Sequence, residues 1–168
     1  MTSLCCDVLK ALAGKTLATA ESCTGGGIGA AVTAVSGSSA VFKGGIISYC
    51  NEIKHKLLGV DAEMLEACGA VSAPVAEAMA AGARKVLNSD VAVSVTGLAG
   101  PRGDEFGNPV GTVFIGYADV NQVFSRKFLF SGERDSVRYE AIEAALRIIL
   151  EVNKSVITLL FDSRTDRS

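Results

Sequence analysis

Thr16-Leu17-Ala18-Thr19-Ala20, followed by Glu21-Ser22-Cys23-Thr24-Gly25-Gly26-Gly27, reads as a short apolar strand that runs into hydroxyl side chains and glycines. The next segment, Ile28 to Val35, is small, apolar and long enough for a helix packed on a sheet. A strand, a glycine turn and a helix in succession bring side-chain oxygens and backbone N–H groups to one spot, where a phosphate or an oxyanion can be held. Ser22 in such a turn is either a helix cap or a nucleophile, and the local sequence leaves both open, with Thr24 an equal contender for the cap.

Working outward, apolar residues at Leu4, Val8, Leu9, Leu12 and Ala13 recur at helical spacing before Gly14. Downstream of the turn, Ser36-Gly37-Ser38-Ser39 closes the helix, Val41 to Ser48 reads as a second strand, and Asn51 to Leu58 and Ala62 to Ala67 as short helices. Pro74 to Leu87 is a long helix opened by Ser72. Val91 to Val95 has the continuous apolar run of a strand buried on both faces and ends in a second loop, Thr96-Gly97-Leu98-Ala99-Gly100-Pro101. Gly111 to Tyr117 and Gln122 to Phe130 read as an antiparallel pair turned at Asp119 to Asn121, and a helix from Glu133 to about Asn153 closes the chain. Alternating strands and helices with a hairpin added predict an α/β fold, a three-layer α/β/α sandwich with a mixed, mostly parallel sheet and ligand sites at strand ends.

The 168 residues, 49% of them apolar, suit one domain, residues 1–168, with a core from about 4 to 153 and a flexible C-terminal tail. A net charge of -2 with scattered basic residues speaks against nucleic acid as a partner. Five cysteines without a Cys-x-x-Cys pair fit reduced thiols in a cytoplasmic protein, and no stretch reads as a secretory leader or membrane span. One histidine, His55, with no carboxylate or thiolate at ligand spacing does not build a typical metal site.

Five blocks in fixed order carry a resemblance: Ala20-Glu21-Ser22-Cys23-Thr24-Gly25-Gly26, Tyr49-x-Asn51-x-x-Lys54, Gly69-Ala70-Val71-Ser72, Thr96-Gly97-Leu98-Ala99-Gly100-Pro101 and Pro109-Val110-Gly111-Thr112-Val113. Together they resemble the CinA C-terminal domain, from about Thr16 to the last helix. The resemblance implies deamidation of nicotinamide mononucleotide to nicotinate mononucleotide plus ammonia, without a cofactor. It also implies the stand-alone form, since the chain has no room for the nucleotide-pyrophosphatase-like domain of longer CinA proteins. The segment Arg102 to Asn108 departs from the family's glycine-rich loop, and Gly132-Glu133-Arg134 stands where many members have Gly-Asp-Arg.

Hydrolysis of an amide without a metal calls for a nucleophile, a base that later acts as acid, and oxyanion donors. The resemblance shifts Ser22 toward nucleophile, with the amides of Gly25 to Gly27 as expected oxyanion donors. Lys54 is the candidate base, its proton affinity lowered by a closed site and by a helix start that Asn51 would cap; a solvated lysine is the competing reading. Tyr49 either relays a proton and orients the serine or is a strand-end aromatic. Thr24, Gly25, Gly26, Asn51, Thr96 and Gly97 are the candidate substrate contacts, with Arg134, or Arg138 one turn later, for a phosphate; surface ion pairs compete for both arginines.

Three further readings stand beside this one. His55 with Cys23 or Ser22 is an alternative nucleophile–base pair, ranked below Lys54. A non-catalytic nucleotide-binding module would use Gly25-x-Gly27-x-x-Ala30 as a loose dinucleotide fingerprint. An interaction role in DNA uptake or damage response has only the family name behind it. Small apolar-rich domains often form symmetric dimers, so a homo-oligomer is expected.

Overall fold

The computed structural model describes residues 1–165, with side chains described through Lys154. The elements run α1 (Thr2–Ala11), β1 (Leu17–Glu21), α2 (Gly27–Thr33), β2 (Phe42–Ile47), α3 (Asn51–Leu58), α4 (Ala62–Cys68), α5 (Ala73–Val86), β3 (Val91–Gly97), β4 (Thr112–Ala118), β5 (Val123–Leu129) and α6 (Arg134–Thr165). The last helix continues past the end near Asn153 that its sequence suggests, and the flexible tail expected there falls on residues whose side chains, and for 166–168 also backbone, lie outside the described residues. Among the described residues no helix is long and apolar enough to cross a membrane.

Five strands form one mixed sheet in the order β2-β1-β3-β4-β5. β1 pairs in parallel with both β2 and β3, and β4 runs antiparallel to both of its neighbours, so β4 alone opposes the direction of the other four. The hairpin between β4 and β5 turns where the sequence predicts, with the Asp119 carboxylate accepting from the Asn121 amide at 2.7 Å and the Gln122 amide at 3.0 Å.

The two faces of the sheet are built from different side chains. Val91, Val93 and Val95 of β3 join Val113, Ile115 and Tyr117 of β4 in one core with buried residues of α1, α2 and α6. On the other face small residues of β1 and β3 dominate: Ala18, Ala20 and Ala92 pack with Val75, Met79 and Ala83 of α5 and with Leu58 and Leu65 from α3 and α4. The strand period of two thus produces a bulky face and a small-residue face, and α5 settles deep against the latter. Ser94 Oγ donates to the Ala76 carbonyl across this contact at 2.5 Å. Close approach recurs between α5 and α3, where a Cβ at Gly82 would fall on the Leu58 carbonyl. Gly82→Ala is therefore expected to push α3 off α5 and destabilise the protein by about 1–3 kcal/mol, read from urea unfolding midpoints at an unchanged m-value.

β1 lies at the centre of the parallel trio. From it the chain leaves through α2 on one face to reach β2, and returns by α3, α4 and α5 on the other face to reach β3. The carboxyl ends of β1 and β3 therefore face the crevice formed where successive connections depart in opposite directions.

Candidate active site

Ser22 follows β1 directly, its amide donating to the Val95 carbonyl at 2.9 Å as the last rung shared with β3. The nucleophile candidate is thus anchored to the sheet. The Lys54 side chain enters from α3, with Nζ 3.1 Å from Ser22 Oγ. Both side chains are buried, Lys54 1% exposed and Ser22 8%. The Lys54 amine also donates to the Ser48 carbonyl at 2.8 Å and the Tyr49 carbonyl at 3.4 Å. No carboxylate lies within ion-pair distance of it among the described residues.

That set of partners suits either protonation state. A neutral amine has two hydrogens for the two carbonyls and one lone pair for the serine O–H; an ammonium places its third hydrogen on the serine oxygen. Burial away from water disfavours the charged form and holds Lys54 below its ordinary value of 10.5. The pair is placed for transfer of a proton between Oγ and Nζ without an intervening residue.

A cavity of about 230 Å³ opens beside this pair. Its walls come from the β1 turn, the start of α3, the Ala70-Val71 corner, and the end of β3 with the loop after it, where Thr96, Gly97 and Gly100 line it. Thr96 Oγ1 donates to the Ala70 carbonyl at 2.7 Å and so ties the end of β3 to that corner. Gly97 is required there, because a Cβ would come within 2.7 Å of Val113 Cγ2 and 2.9 Å of the Thr112 carbonyl. Arg102 and Arg134 line the cavity and no Asp or Glu does, so the site favours an anionic ligand.

Tyr49 and Asn51 also line the cavity. The Tyr49 ring is 65% exposed, and Lys54 reaches Ser22 directly, so a relay through the phenol is not needed for their contact. Asn51 is the first residue of α3 rather than its cap; Cys50 occupies the cap position, with no side-chain capping bond. Arg134 opens α6 and its guanidinium donates to the Gly100 carbonyl, which places it against the cavity from the helix start.

Other predicted contacts turn elsewhere. The Gly25 and Gly27 amides donate to the Ser22 and Thr24 carbonyls at 3.0 Å and 3.1 Å, and the Gly26 amide donates to Glu21 Oε2 at 3.1 Å. The glycine amides are therefore occupied and do not form the oxyanion hole expected of them. The same occupancy removes the free N–H groups that a dinucleotide-binding turn would need. Thr24 is fully buried with its hydroxyl donating to Glu21 Oε2 at 2.8 Å, so neither it nor Gly25 nor Gly26 lines the cavity. Arg138 donates to the Thr24 carbonyl at 3.2 Å and pairs with Asp135, bracing the turn from behind rather than facing a ligand.

The histidine alternative is not assembled. His55 Nδ1 lies 2.7 Å from the Val60 carbonyl on another side of α3, and His55 does not line this cavity. Burial pushes the Cys23 thiol up to about 11, which keeps it protonated and poorly nucleophilic near neutral pH. Among the described residues no three His, Cys, Asp or Glu side chains converge in a way that could hold a metal ion.

Two contributors are not among the residues that the sequence predicts. Arg102 belongs to a loop that departs from the family pattern, and its signal was a cation placed just after a strand-end turn. The loop is braced by Asn108, whose side-chain amide donates to the Val71 carbonyl at 3.1 Å and to Asp104 at 2.9 Å, while the Phe106 ring packs on Gly69. Glu21 is the other; its signal was a carboxylate ending an otherwise apolar strand just before glycines.

Comparison with known proteins adds the following likenesses. The family model described as the CinA C-terminal domain matches residues 2–153. A CinA-like protein of Thermosynechococcus vestitus is 54% identical over 138 residues, 80% of this chain and 33% of that protein. One from Geobacter sulfurreducens is 51% identical over 133 residues, 79% of this chain and 32% of that protein. The chain thus spans about a third of the length of these curated relatives. Among solved structures, the competence damage-inducible protein A of Klebsiella pneumoniae superposes with a TM-score of 0.87 at 35% identity, covering 89% of this chain and 94% of that one. The competence/damage inducible protein CihA of Agrobacterium tumefaciens gives 0.87 at 36% identity, covering 90% and 94%.

Proposed function

The chain belongs to the CinA C-terminal domain family, and on that premise we propose that it is an amidohydrolase that deamidates nicotinamide mononucleotide to nicotinate mononucleotide, with Ser22 as nucleophile and Lys54 as base. The observation that carries this reading is the buried contact of 3.1 Å between Lys54 Nζ and Ser22 Oγ, with no carboxylate among the described residues paired to the amine to hold it charged. A lysine braced by carbonyls and kept below its usual proton affinity is suited to accept the serine proton.

In the reaction, Ser22 Oγ bonds to the carboxamide carbon while its proton passes to Lys54 Nζ, and the carbonyl oxygen takes the negative charge. Collapse of that intermediate breaks the C–N bond, and Lys54 returns its proton to the leaving nitrogen, releasing ammonia. A water then attacks the acyl ester, giving a proton to Lys54, which restores it to Ser22 Oγ as the carboxylate product leaves.

Substrate charge agrees with the cavity. Arg134 and Arg102 stand at its rim, where a phosphate monoester meets guanidinium donors, Arg134 with added help from the α6 N-terminus. Arg134→Gln is expected to raise KM for nicotinamide mononucleotide by about tenfold to a hundredfold while leaving kcat nearly unchanged, since the phosphate is bound alike in ground and transition states. Steady-state kinetics check this. Five free cysteines, Cys5, Cys6, Cys23, Cys50 and Cys68, suit a reducing, cytoplasmic setting.

Ammonia release from nicotinamide mononucleotide, nicotinamide riboside and nicotinamide, measured on chelator-treated protein, tests the proposal. Turnover of the mononucleotide above the other two supports it; no ammonia from any of the three overturns it.

A further inference from the structure

Glu21 is a buried carboxyl group that the reaction as written does not use. It is 1% exposed, and its hydrogen-bond partners are hydroxyls and backbone amides rather than cations. Five donors converge on it. Oε2 accepts from the Thr24 hydroxyl at 2.8 Å, the Gly26 amide at 3.1 Å and the Ile28 amide at 3.0 Å; Oε1 accepts from the Gly29 amide at 3.0 Å and the Thr19 hydroxyl at 3.2 Å. A buried carboxyl group is costly to desolvate, and these bonds offset that cost only while the whole turn keeps its shape.

The consequence falls on the residues between the two ends of this network. Glu21, with the Ser22 and Thr24 carbonyls, takes up the N–H groups of Gly25, Gly26, Gly27, Ile28 and Gly29. The Ser22 amide is committed to Val95. Within this turn the amide of Cys23 has no backbone acceptor among the described residues, and Cys23 lines the cavity next to the nucleophile. Developing negative charge on an acyl oxygen is best met by a fixed N–H group at the cavity wall.

We propose that Glu21 is a positioning residue of the hydrolysis: it holds the turn so that Ser22 meets Lys54, and so that the Cys23 amide, not those of the glycines, receives the oxyanion. This rests on the serine-hydrolase reading of the site. Glu21 itself touches neither substrate nor reacting atoms. An isosteric amide at position 21 would turn an NH2 toward at least one of the present donors, loosening the turn without emptying the space.

The intact chain and its Glu21→Gln variant are compared in two reactions: turnover of nicotinamide mononucleotide, and labelling of Ser22 by a fluorophosphonate. In the labelling step the Oγ–P bond forms, fluoride leaves and Lys54 takes the hydroxyl proton, so the comparison needs no knowledge of the natural substrate. The expected result is a fall of about a hundredfold in both kcat and labelling rate. KM stays within about threefold, and the pH at which the rate half-rises does not move, because Lys54 keeps its surroundings. Where Glu21→Gln does not fold by circular dichroism, Thr24→Val deletes the bond to Oε2 at constant shape and is expected to lower both rates about tenfold. Rates within about threefold of the parent in whichever variant folds, or a loss confined to KM, overturn the proposal. Labelling of the parent at Ser22 without ammonia from the mononucleotide removes the substrate assignment alone, and the labelling ratio still decides the role of Glu21; a parent that is not labelled at Ser22 overturns both.

Discussion

Ser22→Ala is expected to lower kcat for ammonia release by roughly a millionfold, with KM little changed. The loss is large because nucleophile and base act as a unit: without Oγ, Lys54 has no proton to take and the acyl-enzyme cannot form. A water entering the vacated space is the only remaining nucleophile, and the positioned Cys23 amide retains a small residual rate over the uncatalysed reaction. Stability should barely move, because Ser22 is held through its backbone amide to Val95 and its hydroxyl has one partner. A sensitive coupled ammonia assay with the fold checked by circular dichroism gives the measurement. Retention of even a tenth of the parent rate would remove Ser22 from the chemistry.

Lys54→Met is expected to lower kcat by at least about ten-thousandfold and to abolish the dependence of rate on deprotonation of the base. In the parent, kcat/KM rises with pH as the Lys54 ammonium loses its proton, at a pH below 10.5 because burial favours the neutral amine. The same shift has a consequence for stability. The folded-state value lies below the unfolded one, so between the two the unfolded chain binds more protons. Parent stability should therefore rise with pH from the folded-state value of Lys54 up to 10.5, and the methionine variant should lack that rise. Two opposing effects act near neutral pH: the Ser48 and Tyr49 carbonyls lose a donor, and a buried amine no longer has to be desolvated. A net change within about 2 kcal/mol follows. A parent whose rate is flat with pH, or a variant that keeps the alkaline rise, would show that another group is the base.

These two substitutions probe opposite sides of one contact, so their effects should not add. The double variant is expected to be no slower than Ser22→Ala alone, as for other residues that act jointly.

Much of this protein is written locally in its chain. The strand, glycine turn and helix around Ser22 are legible because apolar periodicity and glycine punctuation are local properties. The continuous apolar run of β3 marks burial on both faces, and the order of elements specifies the layers. Ser22 and Lys54 stand out as chemistry-bearing residues in separate motifs, and the tyrosine, threonine and glycine at neighbouring strand ends mark the crevice. What the chain does not spell out is which hydrogen bonds are already taken. Glycine amides in a turn look available on paper, but whether they face a ligand or a carboxylate depends on where Glu21 points, and it points inward at five donors. Lys54 beside Lys56 is indistinguishable by composition, yet the first is buried against Ser22 and the Ser48 and Tyr49 carbonyls, while the second pairs with Glu52 at the surface. Arg134 and Arg138 differ by one turn of helix, enough to send one to the cavity and the other behind the turn. Local sequence decides which backbone shapes form, because propensity and periodicity act over a few residues. Only the folded structure decides which polar groups are desolvated and with whom they pair, because those outcomes depend on contacts between segments remote in the chain.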